Sequence, residues 1–189
     1  MLQVRIYMII PLCSGNVDVN LLVAFVKDEN PHFDVVNIMP SFFIGRSELI
    51  ASPKEITNGT NGVAFGPVLG VSSNFANPGA TIHSDDVAKV HVLALDPKVQ
   101  GNQNFGMMSG GVEGNTWGES IDVVKKHFPE AVKDGRLPVN GSQPTKRLLF
   151  DSSRTEEVLG IKFRNYEEQV IDVTRHYLEL LEKEGEKTQ

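Results

Sequence analysis

The run Phe33-Asp-Val-Val-Asn-Ile-Met39, closed by Pro40, constrains this chain more than any other feature. Valine and isoleucine are stiff at χ1 and pack well on a pleated surface, so the run predicts a buried strand. Pro40 has no amide to continue a ladder and ends it. Upstream, Val19, Leu22, Val23 and Val26 recur at helical spacing and Pro31 marks a stop, which predicts a helix over 17–28. Helix followed at once by buried strand sets the pattern for the rest.

Residues 41–78 are rich in Gly, Asn, Ser and Pro and predict loop, with one helical turn over 63–69. Ser84 is expected to cap a helix over 85–95, whose leading Asp85 and Asp86 suit the positive end of the helix dipole. A strand is expected over 104–109, broken by Gly110 and Gly111. Thr116 and Glu119 have capping-box spacing and open a helix ending near Phe128. After loop over 129–145 come a short strand over 146–150 and a second capping box, Ser153 to Glu156, on a helix stopped by Gly160. The last helix, 166–184, places Val170, Ile171, Thr174, Tyr177, Leu178 and Leu181 on one face. Short strands alternating with helices indicate the α/β class.

Composition narrows the function. Apolar residues make up 40% and charged residues 22%, as in a packed domain rather than a disordered chain. A net charge of −6 argues against nucleic acid, which calls for a basic patch. No apolar run is long enough to span a membrane, and the single cysteine, Cys13, excludes an internal disulfide, so a cytoplasmic location is expected. The first residues, 1–16, are atypical: apolar from Val4 to Leu12 with one arginine, they suit a buried strand or the start of a truncated reading frame. Pro11 breaks them as a signal sequence.

Few motifs carry chemistry of their own. Gly59-Thr-Asn-Gly62-Val-Ala-Phe-Gly66 has the glycines of a phosphate loop, but the segment before it is no buried strand, which favours a turn. His83, Asp85, Asp86 and His91 are metal-competent types, yet helical periodicity turns His91 away from the others, so no metal site is expected. Ser72, Ser84 and Ser109 lack a nucleophile elbow. Trp117, Met107 and Met108 are read as core, and Glu179, Glu182, Lys183 and Glu184 as a solvated helix end.

Four stretches taken in order go further. Phe33 to Gly45 resembles the strand and Asn-x-x-Pro-x-x-x-x-Gly turn of extended short-chain dehydrogenase/reductases. Thr81-Ile-His-Ser-Asp-Asp-Val-Ala is similar to their His-x-Asp-Asp-Val-Ala helix entry. Phe128-Pro to Leu137-Pro138 looks like a following loop of that family, and Asp151 to Arg164 like its closing Leu-Gly-x-x-Phe-Arg segment. The flavour is that of the fungal and plant carbonyl-reductase branch, similar to cinnamoyl-CoA, dihydroflavonol and yeast methylglyoxal reductases.

The resemblance implies the C-terminal part of a Rossmann-type NAD(P)-binding fold with a small substrate-binding α/β subdomain over 17–183, and a charged tail over 184–189. It implies NADP(H) as cofactor and a small aldehyde or ketone as substrate. In that family a tyrosine donates the proton, a lysine four residues on lowers its pKa, and a serine polarises the carbonyl. This chain has no such pair: Tyr7, Tyr166 and Tyr177 are followed at that spacing by Pro11, Val170 and Leu181. No catalytic residue is therefore assigned. By resemblance Pro40 and Phe43 fall on the turn that brackets the nicotinamide, Thr60 and Asn61 near its polar contact, and 63–75 on the substrate side.

The expected activity is NAD(P)H-dependent carbonyl reduction in the family, with this chain alone inactive. The alternatives are a non-catalytic binding module, a partner of a full-length relative, or an epimerase/dehydratase of the same superfamily. The Phe33 strand would take its neighbours from a front half, and without them self-association through an exposed sheet edge is expected.

Overall fold

The computed structural model describes residues 4–9 and 19–186. In chain order its elements are β1 (Val4–Ile9), α1 (Val19–Glu29), β2 (Phe33–Pro40), β3 (Phe42–Ile44), α2 (Asn61–Phe65), β4 (Asn77–Pro78), β5 (Thr81–His83) and α3 (Ser84–Leu93). They continue with β6 (Gln103–Met107), α4 (Glu119–His127), α5 (Pro129–Lys133), β7 (Thr145–Lys146), α6 (Ser153–Leu159) and α7 (Tyr166–Glu186). Short 3-10 turns stand at Pro53–Glu55 and Gly111–Glu113.

The β-branched run forms β2, as its composition predicts, and every strand pairing is parallel. The order β1-β2-β6 makes β2 the middle strand, with Ile9 opposite Ile38 on one side and Phe105 opposite Ile38 on the other. This corrects one expectation: both neighbours of β2 come from this chain. The open edges among the described strands belong to β1 and β6, so the edge liability moves outward by one strand.

At Ser41 the chain changes sheets. Its amide still donates to Met107 O at 2.9 Å, while the next amide, that of Phe42, donates to Ala80 O at 3.1 Å. From there β3 pairs with β5, and β4 pairs with β7 in a further small sheet. The hand-over carries the backbone off the carboxyl end of β2 and into the turn after β3.

Two cores result. One packs Val36 and Ile38 of β2 with Ile82, Val90, Phe105, Met107, Leu159 and Phe163. The other gathers Ile44, Ile56, Phe65, Val68, Trp117, Val124 and Leu137 around Tyr166, Val170, Val173 and Leu180 of α7. Trp117 is wholly buried, with edge-on rings at 5.6 Å (Phe42) and 6.0 Å (Tyr166), and its indole N–H donates to Asn77 O at 3.2 Å. Packing is thus its use, and Met107 and Met108 are likewise core.

Several boundaries differ from expectation for physical reasons. The 41–78 segment holds β3, α2 and β4, because its Gly-rich stretches are pinned by tertiary contacts that local pattern does not carry. Residues 129–133 form α5 with Pro129 at its first turn, where a missing amide costs nothing. The cap of α3 is His83 rather than Ser84: its Nδ1 accepts from the Asp85 amide at 3.1 Å. At α6 the capping box does not form. Glu156 instead accepts from the Phe163 amide at 2.8 Å, and Asp151 accepts from the Ser153 amide at 2.9 Å. Gly160 does stop that helix, at φ +60°, where a side chain would be strained. No helix among the described residues is long and apolar enough to cross a membrane.

Candidate functional site

A cavity of about 460 Å³ opens where β3 runs into the Gly45–Arg46 turn. Phe43, Arg46, Leu49 and Ile50 line it together with Asn58, Thr60, Asn61 and Ser84. Its position follows from the hand-over at Ser41, since parallel α/β sheets present ligand loops beyond the carboxyl ends of their strands.

Three of the four residues singled out by resemblance meet here. The Thr60 hydroxyl donates to the Phe43 carbonyl. Asn61 grips Gly45 from both ends, its Oδ1 accepting from the Gly45 amide at 3.1 Å and its Nδ2 donating to the Gly45 carbonyl at 2.8 Å. The Asn61 amide is buried and fully engaged, so it shapes the wall, whereas the Phe43 ring is partly exposed and free to face a ligand. Pro40 does not line the cavity. It is buried at the end of β2, opposite Met107.

The 63–75 segment divides. Ala64, Phe65 and Val68 are buried in the α7-centred core, while Val71 and Phe75 stand exposed on a loop held by hydrogen bonds to Ser142 and Gln143. Only that second part is free to touch a substrate.

A charged cluster stands behind the turn. Asp172 of α7 accepts from the Arg46 amide at 2.7 Å and lies 3.3 Å from His83 Nε2. Hydrogen bonding from His83, and secondarily from the Arg46 amide, holds Asp172 below the usual aspartate range. The Asp85 amide and the Arg164 guanidinium, at 2.8 Å, both approach His83 Nδ1, so the ring proton belongs on Nε2 and points at Asp172. Arg164 also donates to Asp85 at 2.8 Å, and its own amide donates to the buried Asp86 at 2.8 Å. The two stretches resembling the helix entry and the closing segment thus converge on one another.

Sequence reading missed most of this cluster. Glu179, read as part of a solvated helix end, instead ion-pairs with Arg46 at 2.7 Å across the mouth of the turn. Gln169, wholly buried, donates to Ser109 Oγ at 2.7 Å and joins α7 to the strand ends. A signal was present: Gln169, Asp172, His176 and Glu179 recur at helical spacing as a polar stripe beside the apolar one. His91 faces its own helix, 2.7 Å from Val87 O, and no group of His, Cys, Asp and Glu among the described residues converges as a metal site.

Neither Tyr166 nor Tyr177 is placed as a proton donor to the cavity. Tyr166 is buried against Trp117, its hydroxyl 3.5 Å from Trp117 O, and burial pushes its pKa up. Tyr177 packs edge-on against Phe65 and is shifted the same way by burial. Tyr7 lies in β1, opposite Val36, not at a helix start, and Pro11 lies outside the described residues.

Parallel strands, helical crossovers and a cavity at the strand ends define a Rossmann-type α/β protein. No family model matches the chain. It is 43% identical over 169 residues to ketoreductase CTB6 of Cercospora beticola, covering 88% of this chain and 47% of that protein. With NAD-dependent epimerase/dehydratase FUM13 of Gibberella moniliformis it shares 33% identity over 162 residues, covering 79% and 42%. Its fold is similar to that of Gre2 from Candida albicans, solved with NADPH, at a TM-score of 0.62 and 22% identity, covering 86% and 49%. The chain corresponds to part of an extended short-chain dehydrogenase/reductase of the ketoreductase and epimerase/dehydratase kind. It spans about half the length of the curated relatives it matches.

Proposed function

We propose that the chain supplies the nicotinamide-side turn and part of the substrate side of a cytosolic NADP(H)-dependent ketone or aldehyde reductase, and does not reduce a carbonyl alone. What supports this reading most directly is the wall of the cavity. Phe43, Thr60 and Asn61, assigned to the cofactor by resemblance, assemble at one opening, with the Phe43 ring partly exposed. The ketoreductase relatives supply the reaction class.

The fit to the cofactor is partial. The cavity has the volume and the mixed apolar and polar lining of a small-molecule site. Among the described residues, however, no Gly-rich loop stands between a buried strand and a helix start to hold a pyrophosphate. Nor does a tyrosine with a lowered pKa face the opening. No step of hydride or proton transfer is therefore derived for this chain.

Titration of the purified chain with NADPH, followed by nicotinamide fluorescence, tests the reading. Weak or no binding, together with no turnover of an aldehyde or ketone panel, is expected. Tight binding without turnover would favour the alternative, a non-catalytic binding module whose cavity is already formed. Turnover by the chain alone would overturn both. We further propose that the β1 edge mediates self-association, either between copies or with a full-length relative. A monomeric light-scattering mass with a sharp cooperative melt would contradict that.

A further inference from the structure

The Gly45–Arg46 turn is moulded against Ser84, which lines the cavity, and against His83 and Asp172, which do not. Gly45 sits at φ +146°, where a Cβ would meet Ser84 Oγ at 2.8 Å and both Asp172 Oδ2 and His83 Nε2 at 3.2 Å. Ser84 Oγ donates to the Arg46 carbonyl at 3.3 Å, and Asp172 Oδ2 accepts from the Arg46 amide at 2.7 Å. Both backbone polar groups of Arg46 are thereby taken by side chains from α3 and α7. The Asp172 carboxylate is held in turn by His83, which is 3% exposed and fixed from its other side by Asp85 and Arg164. The wall of the cavity therefore owes its backbone path to a His–Asp pair that does not line it.

We propose that His83 and Asp172 are positioning residues that set the Gly45–Arg46 turn in its ligand-receiving conformation. In its bearing on function this rests on reading the cavity as the cofactor side. A positioned turn must not reorganise when a ligand arrives, and an amide anchored to a rigid helix meets that need better than one facing water. Asp172 is well suited because α7 also anchors one of the two cores through Val170 and Val173.

Amide hydrogen exchange on the full chain, read at Arg46, tests the pair without any ligand. In Asp172→Ala, exchange at Arg46 should rise by about ten-fold or more, with Val36 to Ile38 and Val170 to Val173 unchanged. Asp172→Asn keeps an acceptor oxygen and should restore most of the protection. Should Asp172→Ala not fold, His83→Asn serves: it retains a cap for α3 but is too short to reach Asp172, and exchange at Arg46 should again rise. Unchanged exchange at Arg46, or acceleration spread evenly over both cores, would overturn the proposal. Carbonyl turnover with NADPH, measured on the same proteins, separates the two ideas. Turnover by the wild-type chain alone defeats the proposed function while exchange still decides the pair; weak or absent NADPH binding agrees with that function and again leaves exchange at Arg46 to decide the pair.

Discussion

The two cores solve the same burial problem with different parts. Around the sheet, Val36, Ile38, Phe105 and Met107 come from short consecutive runs, and each strand needs its neighbours to be satisfied. Around α7 the buried residues are collected from segments as far apart as Ile44 and Leu180, and edge-on aromatic pairs tie them together. The sheet core ends at β1, a strand with a partner on one side only among those described, and α1, which follows it in the chain, leaves Leu21 and Phe25 exposed. Stability should therefore be concentrated around α7, and that is the half that carries the Asp172 anchor of the cavity wall.

The sharpest way to break this comparison is to remove one large side chain from each core. Trp117→Ala deletes a wholly buried indole and its hydrogen bond to Asn77, at an expected cost of about 3–5 kcal/mol. Ile38→Ala removes a smaller, wholly buried side chain from β2 and should cost about 2–5 kcal/mol. Urea denaturation of both variants measures the two values. A larger loss for Ile38→Ala than for Trp117→Ala would place the stable half at the sheet instead.

How much of this was legible depended on distance along the chain. The β2 strand was read correctly because its β-branched run and Pro40 act locally. The turn at Phe43 and the polar pair Thr60 and Asn61 were found only through resemblance, since nothing in the spacing of 43 and 61 says they touch. The His83 cap was missed because serine and aspartate beside it are stronger capping residues, and the imidazole won through contacts with Arg164 and Asp172. Gln169 was hidden for the same reason: its partner Ser109 lies far away in sequence.

That residue supplies the next test, at the seam between the cores. Gln169 donates to Ser109 Oγ and to the Arg164 carbonyl at 3.0 Å, so it ties α7 to the end of the closing segment. Gln169→Leu keeps the volume but removes the donor, and should cost about 1–3 kcal/mol by leaving buried acceptors less satisfied. If instead the variant is as stable as wild type in urea, the seam is held by packing and the polar network is incidental.

The smallest expected effect is a dependence on pH, and it should belong to the α7 side alone. His176 is 3% exposed and its Nδ1 has no hydrogen-bond partner among the described residues. Burial, and secondarily the charge of Arg46, hold its pKa below the ordinary 6.5, while Glu179, Glu48 and Asp172 oppose that shift. The unfolded chain therefore takes up this proton first as pH falls. The contribution is fully present above 6.5 and is lost as pH drops through the lowered folded value. Asp172, also depressed, adds a loss of the same sign, but only once pH falls below its ordinary 3.8. Urea midpoints measured from about pH 7.5 to about pH 5 isolate the histidine, since Asp172 stays ionised throughout that window. The wild-type midpoint should decline and that of His176→Gln should decline less. Parallel curves for the two proteins would show that the acid sensitivity arises elsewhere, and the α7 side would lose its claim to be the half that senses protons.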